Sequence, residues 1–263
     1  MKQQTNPKAG QADREEQQTA TQLPHIYDIP LEEIDAFPDH PYQVKDDNDM
    51  NILVESIKEH GVITPAVVRK KEDGRYELIS GHRRKHACEL AGLSTLRCDV
   101  VEVTREEAII RMVDANCQRS KLLPSEKAFA YKMKMDALGH QGIVCGQVGL
   151  KSRDSISNTD SGRQVQRYIR LTFLERPILD LVDAGRIAFS PAVALSYLSA
   201  KEQSELLDAM EENDCTPSYS QAIRLKKMSQ EGVLTEDDIY DVLAEEKPNQ
   251  VECIKVPLND LRQ

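Results

Sequence analysis

Nowhere does the chain approach the ~20 consecutive apolar residues that a helix needs to cross a bilayer, and charged residues make up 30% of its 263 positions. A membrane-spanning helical protein is excluded, and a soluble one with room for one or two domains is expected. The first residues, Met1 to Gln22, lack the apolar core of a signal peptide and are rich in Gln, Lys, Asp and Glu. They read as a disordered arm. Also missing is any Cys-x-x-Cys pair. The six cysteines, Cys88, Cys98, Cys117, Cys145, Cys215 and Cys253, are scattered, which points away from both a zinc site and a disulfide framework. With no secretory signal, reduced thiols in a cytoplasm are expected. No internal repeat is present.

An excess of positive charge is absent as well: the net charge is -10. Its distribution matters more than its sum. Between Glu202 and Glu246 there are 13 acidic and 3 basic residues, which leaves 31 of each elsewhere. A neutral body can bind DNA through a local basic face, whereas the acidic segment is expected to stay off phosphate.

What is present is a run of distinct elements. Leu23 to Pro38 reads as extended. Asp49 to His60 reads as a helix with Ile52, Leu53, Ser56 and Ile57 on one face and Gly61 at its end. Val67 and Val68 begin a strand, Asp73-Gly74 signals a hairpin, and Arg75 to Ile79 returns. A further strand is expected around Arg97 to Val103. Thr104 to Asn116 reads as a helix with Ala108, Ile109, Met112 and Val113 inward. Pro124 suits the first turn of the next helix, which runs to about Leu138, and Gly139 to Gly149 reads as a loop. From Ser152 to about Glu246 the pattern is all-helical, and Val251 to Leu261 holds a last apolar patch.

Between the two strand regions lies Ile79-Ser80-Gly81-His82-Arg83-Arg84-Lys85-His86-Ala87. A strand meets a Ser-Gly turn, and a helix follows that ends near Gly92. Cations in a first helical turn are locally unfavourable beside the positive end of the macrodipole, and an anion reverses that cost. Free N–H groups, a small glycine and two guanidinium forks make a phosphate cradle. Alone, the same residues also fit a basic turn that faces water or salt-bridges to a neighbour.

The run resembles the phosphate-binding box of the ParB partition-protein family, which reads Gly-Glu-Arg-Arg in most members. Two further boxes of that family stand around it in order. Gly61-Val62-Ile63-Thr64-Pro65-Ala66-Val67-Val68-Arg69 is similar to the first. Asn116-Cys117-Gln118-Arg119, followed by Leu122-Leu123-Pro124-Ser125-Glu126-Lys127-Ala128, is similar to the third and the helix after it. The resemblance covers about Ile26 to Leu198. It is closest to ParB-like proteins of bacterial mobile elements, which also show Gly-His-Arg-Arg. It implies an α+β fold, in which a small ParB/sulfiredoxin-like α/β domain precedes an all-helical helix-turn-helix domain. The expected organisation is an arm over 1–22, a nucleotide-binding domain over 23–113, a DNA-binding domain over 114–200 and an acidic helical tail over 201–263. Family members usually end in a dimerisation domain. Val251 to Gln263 is too short for one, so the chain is either truncated there or dimerises by another route.

The family consists of CTP-dependent DNA clamps, in which CTP closes the N-terminal domains of a dimer around DNA after loading at a specific site. The resemblance implies that Gly81, His82, Arg83 and Arg84 bind the triphosphate. Thr64 and Pro65 match a Gln-Pro pair near the nucleotide. Asn116 matches an asparagine near the phosphates and the metal, and Gln118 and Arg119 complete that box. CTP and Mg²⁺ are the implied cofactors. The implied partners are double-stranded DNA at a specific site, a second copy of the chain and a ParA-type ATPase, with no membrane and a cytoplasmic, nucleoid-associated location. Two departures stand out. The family usually has Glu immediately before the asparagine, tied to Mg²⁺ and CTP hydrolysis, and this chain has Ala115. Asp114 is the one candidate to replace it catalytically, but it lies about 100° around the helix. His82 stands where Glu is usual, which removes a negative charge near an anion and favours phosphate binding.

A second signal is Arg163-Gln164-Val165-Gln166-Arg167-Tyr168-Ile169-Arg170-Leu171. Arg163, Arg167 and Arg170 share one helical face, while Val165, Ile169 and Thr172 line another with Tyr168 beside them. Asp160 or Ser161 is placed to cap the start. Core residues behind and Arg163, Gln164, Gln166, Arg167 and Arg170 in front suit a recognition helix in a major groove. A solvated basic face fits this segment alone equally well. The preceding stretch, Lys151 to Asp160, is polar and short for the first helix of such a motif, with Ile156 its only apolar anchor.

Other functions share these residues. A transcriptional regulator whose nucleotide domain has lost switching fits Ala115, and a small-molecule kinase-like enzyme has the same small fold. Sulfiredoxin chemistry requires a Gly-Cys-His-Arg motif, whereas here Gly81 precedes His82 directly and Cys88 lies about two turns downstream.

Overall fold

The computed structural model describes residues 25–117, 122–140, 156, 157 and 160–245. The expected arm, Gln118, Arg119, most of the Gly139–Gly149 loop and the last apolar patch lie outside the described residues. Contacts divide the chain into two compact units, 25–36 with 45–102 and 37–44 with 103 onward.

The first unit is a five-stranded sheet with two helices. Its strands are β1 (Ile26–Pro30), β2 (Ile34–Asp35), β3 (Ala66–Lys70), β4 (Tyr76–Ser80) and β5 (Thr95–Val101), in the order β1-β5-β3-β4-β2. The region expected to be wholly extended is broken by a 3₁₀ turn at Leu31–Glu33. β1–β5 and β3–β4 are antiparallel, while β5–β3 and β4–β2 are parallel. β5 starts two residues before the expected position because Thr95 pairs with Pro30 on β1. The Asp73-Gly74 hairpin forms as expected: Asp73 Oδ1 accepts from Arg75 N at 2.9 Å, and Gly74 has φ +86°.

Helix α1 (Asn48–His60) begins at Asp47, whose carboxylate accepts from Met50 N, and ends at Gly61. It buries the stripe Met50, Val54 and Ile57 and leaves Ile52 61% exposed. The inward face is therefore rotated from the one expected, because the i, i+4, i+7 stripe of Met50 is the more continuous. Helix α2 (His82–Leu90) buries Ala87 and Cys88 against Ala66, Leu78 and Leu96. At the sheet edge, Lys71 and Arg75 both bind Asp35, and the Arg75 hydrogen bond is the main cause holding that carboxyl far below its ordinary range.

In the described residues of the second unit the elements are helical. They are α3 (Arg105–Cys117), α4 (Pro124–His140), α5 (Gly162–Arg170), α6 (Arg176–Asp183), α7 (Phe189–Leu195), α8 (Ala200–Glu212), α9 (Tyr219–Glu231) and α10 (Glu236–Ala244). α3 starts in a reciprocal box between Thr104 and Glu107 and turns Ala108, Ile109, Met112 and Val113 inward, as expected. α4 continues through Gly139, two residues past the expected end. Ile156, the lone apolar anchor of its segment, is fully buried with Tyr131, Val165 and Ile169. Each helix of the acidic segment opens with a capping box, at Ser199, Ser218 and Thr235, which satisfies N–H groups that would otherwise be orphaned. Leu206, Leu225, Ile239 and Val242 from these helices join the core that holds Leu171, Ile178 and Leu195.

Candidate functional site

In the first unit the chemistry gathers where β4 hands over to α2. Gly81 has φ +108° and ψ 23°, a conformation that L side chains rarely adopt. Space enforces the same choice, since a Cβ there would lie 2.9 Å from Ala66 Cβ and 3.1 Å from Arg84 Nη2. The start of β3 therefore packs directly on the turn, and the Arg84 fork folds back over the helix N-terminus. Its Nη1 donates to the carbonyl oxygens of Thr64, at 2.6 Å, and Pro65, at 2.5 Å. Four expected site residues, Thr64, Pro65, Gly81 and Arg84, are thus brought together.

Five consecutive basic residue types, His82 to His86, open α2, and its first turn carries no acid. Acids from the entry to α1 answer two of them. Arg83 Nη2 lies 3.0 Å from Asp47 Oδ1, and His86 Nε2 lies 2.7 Å from Asp46 Oδ1. Arg83, then Met50 N, hold the Asp47 carboxyl below its ordinary value. Asp46 chiefly, with Glu89 adding to it, raises the His86 pKa. Asp46 and Asp47 carry no sequence signal as site residues; only the helix cap at Asp47 is readable from type and position. Cys88 and Cys98 are buried, and burial pushes Cys98 up to about 12 and Cys88 upward. Neither is set up as a thiolate nucleophile.

In the second unit, α3 carries Asp114, Ala115 and Asn116. Asp114 Oδ1 is 2.5 Å from Lys134 Nζ, which also donates to Ile156 O. Ala115 is exposed. Asn116 is buried and donates through Nδ2 to Met112 O at 2.8 Å, which leaves its carbonyl oxygen as acceptor. Arg119 lies outside the described residues. Among the described residues no three His, Cys, Asp or Glu groups converge as a metal site.

The other candidate surface centres on α5. Ser161, the cap, accepts from Gln164 N. Arg163, Gln164 and Arg167 line a groove of about 650 Å³ with Ser190, Tyr197 and Lys226. Arg163 is exposed. Arg167 donates to Ser190 Oγ at 2.8 Å and lies 4.8 Å over the Phe189 ring. Arg170 turns to Ser196, donating to its carbonyl and hydroxyl, and stacks on Phe173 and Tyr197. Gln166 turns to α4, its Nε2 3.7 Å from Met135 Sδ. Three of the five expected DNA-facing residues thus line the groove, while Arg170 and Gln166 make packing contacts. Ser190, Tyr197 and Lys226 were not expected. The one available hint is the Arg224-Leu225-Lys226-Lys227 run inside an otherwise acidic segment.

Comparison with known proteins gives a consistent picture. Residues 14–117 match the family model described as the ParB N-terminal domain. A probable chromosome-partitioning protein ParB of Neisseria meningitidis is 35% identical over 161 residues, which are 61% of this chain and 53% of that protein. The chromosome-partitioning protein Spo0J of Thermus thermophilus is 30% identical over 196 residues, 74% of this chain and 69% of that protein. The chain thus spans about half the length of the Neisseria relative. Among solved structures, C-terminally truncated ParB from Caulobacter crescentus complexed to the centromeric parS site aligns with a TM-score of 0.44 and 21% identity, covering 82% of this chain and 98% of that one.

Proposed function

This chain belongs to the ParB family, and from that premise we propose that it is a DNA-binding partition protein gated by CTP. It would serve a chromosome, plasmid or mobile element. The observation that carries the DNA-binding half is the groove along α5. Arg163, Gln164 and Arg167 put forked donors beside Ser190 on a surface whose lining has no carboxylate. Such donors suit guanine, adenine and phosphate. Relatives described as chromosome-partitioning proteins support the same role.

The nucleotide half rests on the Gly81 turn. Backbone N–H groups at the start of α2, with Arg83 and Arg84 beside them, fit a triphosphate. The fit to Mg²⁺ is thinner: Asn116 offers one carbonyl oxygen, Ala115 none, and the Asp114 carboxylate is engaged by Lys134. Bound Mg²⁺ would neutralise phosphate charge. The residues present supply little to activate a water, which favours CTP binding with slow turnover. That observation also suits the second reading, a regulator that binds nucleotide without switching. Partners under this proposal are a specific DNA site, a second copy of the chain and a ParA-type ATPase.

Gel-shift titration of an Arg163→Ala/Arg167→Ala variant tests the DNA-binding half. Loss of a base-reading Arg costs ~1–3 kcal/mol, so clearly weakened binding is expected. Unchanged affinity would put the DNA surface elsewhere. Site-specific crosslinking of the N-terminal domain with and without CTP and DNA tests the gate. A regulator that does not switch gives the same yield in all four conditions.

A further inference from the structure

Resting on the reading of the α5 groove as a DNA surface, we propose that α9 is that groove's second wall, with Lys226 contacting phosphate and Tyr197 positioning it. This reverses the expectation that the acidic segment stays off phosphate. The segment's three basic residues, Arg224, Lys226 and Lys227, all lie on α9, and their surroundings differ. Both terminal nitrogens of Arg224 lie 2.8 Å from Glu245 oxygens, and Lys227 lies exposed, 3.8 Å from Glu231. Lys226 instead reaches the groove, with Nζ 3.6 Å from the centre of the Tyr197 ring.

The ring carries a second cation. Arg170 Cζ lies 4.0 Å from the same centroid. Each cation is attracted to the ring quadrupole, but two like charges held on one ring repel, and an anion arriving beside them relieves that repulsion. The groove opposite supplies Arg163 and Arg167, and no carboxylate lines it. In a chain with ten more acids than bases, a groove with cations on both walls fits a polyanion. The rim also keeps Tyr219 57% and Ile223 41% exposed, large side chains of the kind that mark an interaction surface. A duplex is the occupant favoured here, because the groove combines the forked donors of α5 on one wall with the Lys226 ammonium of α9 on the other. Lys226 would hold the backbone while Arg163 and Gln164 face base edges.

The test uses the full chain and a mixed-sequence duplex of about 20 base pairs, with affinity measured by fluorescence anisotropy across about 50–200 mM salt. Lys226→Gln keeps the stem and removes the charge. It should flatten the slope of log K against log[salt] by about 0.9, so that its deficit relative to the native chain shrinks about threefold across that range. Lys226→Arg should retain the native slope, and melting curves should be alike for all three proteins. A native slope and affinity in Lys226→Gln, or a lost slope in Lys226→Arg, overturns the inference. Binding to polyglutamate that needs Lys226 while duplex binding does not would overturn it in favour of an acidic protein partner. The Arg163→Ala/Arg167→Ala variant runs alongside. If it loses duplex binding while Lys226→Gln does not, the α9 inference alone falls. If neither loses it, the DNA reading of the groove falls too.

Discussion

Asp47 serves two helices at once: its Oδ1 accepts from Met50 N at 2.9 Å to cap α1 and lies 3.0 Å from Arg83 Nη2 at the start of α2. A triphosphate arriving at α2 would meet one arginine already answered by a carboxylate and another, Arg84, folded onto two carbonyl groups.

The two arginines should therefore fail differently. Arg83→Ala and Arg84→Ala are each expected to weaken CTP binding, since charge-assisted bonds contribute ~1.5–3 kcal/mol. Arg84→Ala should lower the melting temperature more than Arg83→Ala, because it removes both bonds to Thr64 and Pro65, whereas Arg83→Ala removes one partly exposed ion pair. Calorimetry with parallel melting curves checks this. Unchanged CTP affinity in both variants removes the cradle.

Gly81→Ala should be among the most damaging changes in the first unit. Left-handed backbone costs a side-chain-bearing residue roughly 1–2 kcal/mol, and the new methyl would press on Ala66, which is fully buried in the core. Gly74→Ala, at an open turn with nothing near its Cβ position, carries only the backbone cost. Chemical denaturation of the pair should rank Gly81→Ala clearly below Gly74→Ala.

His86 gives the first unit a pH-dependent contribution. Its folded-state pKa is raised above 6.5, first by Asp46. A raised value means that the charged form is favoured in the folded state, so the contribution is full below about 6.5 and fades as pH rises through the raised value. The melting-temperature gap between native and His86→Gln proteins should be widest near pH 6 and close towards pH 9. A gap that does not vary over that span would contradict the ion pair.

Turnover of CTP should be slow, and Ala115→Glu should raise it by ~10²–10⁴. Position 115 is exposed on α3, so a glutamate there costs the helix little. Asp114→Ala should leave the slow rate in place and lower stability instead, because it strips the buried Lys134 of its carboxylate. Phosphate release with DNA present separates the cases: brisk native turnover abolished by Asp114→Ala would show that Asp114 has taken the missing role.

The α+β fold was largely legible because its signals are local. Gly61 ends α1, Asp73-Gly74 turns the hairpin, and Ser161 caps α5, each through its own neighbours. The features that differ from the local pattern are set by a distant partner. The inward face of α1 depends on the sheet beneath Met50 and Val54, and the start of β5 depends on its register with β1. In the candidate site, the grouping of Gly81 with Arg84 follows from sequence neighbours. The Asp47–Arg83 pair does not, because α1 and α2 meet only on folding. Arg170 is equivalent to Arg163 by helical spacing, yet Ser196 and Tyr197, just past the end of α7, divert it. Lys226 was hidden by the acidic sum of its surroundings, since net charge averages over faces that folding separates.

The margins of the sheet have a further consequence. Among the described residues, β2 offers only two positions, Ile34 and Asp35, and β1 has Asp28 at its centre and Pro30, which lacks an N–H, at its end. Short edges that carry charge and proline are poor templates for an added strand. A strand from another chain would find little at either margin to extend the sheet.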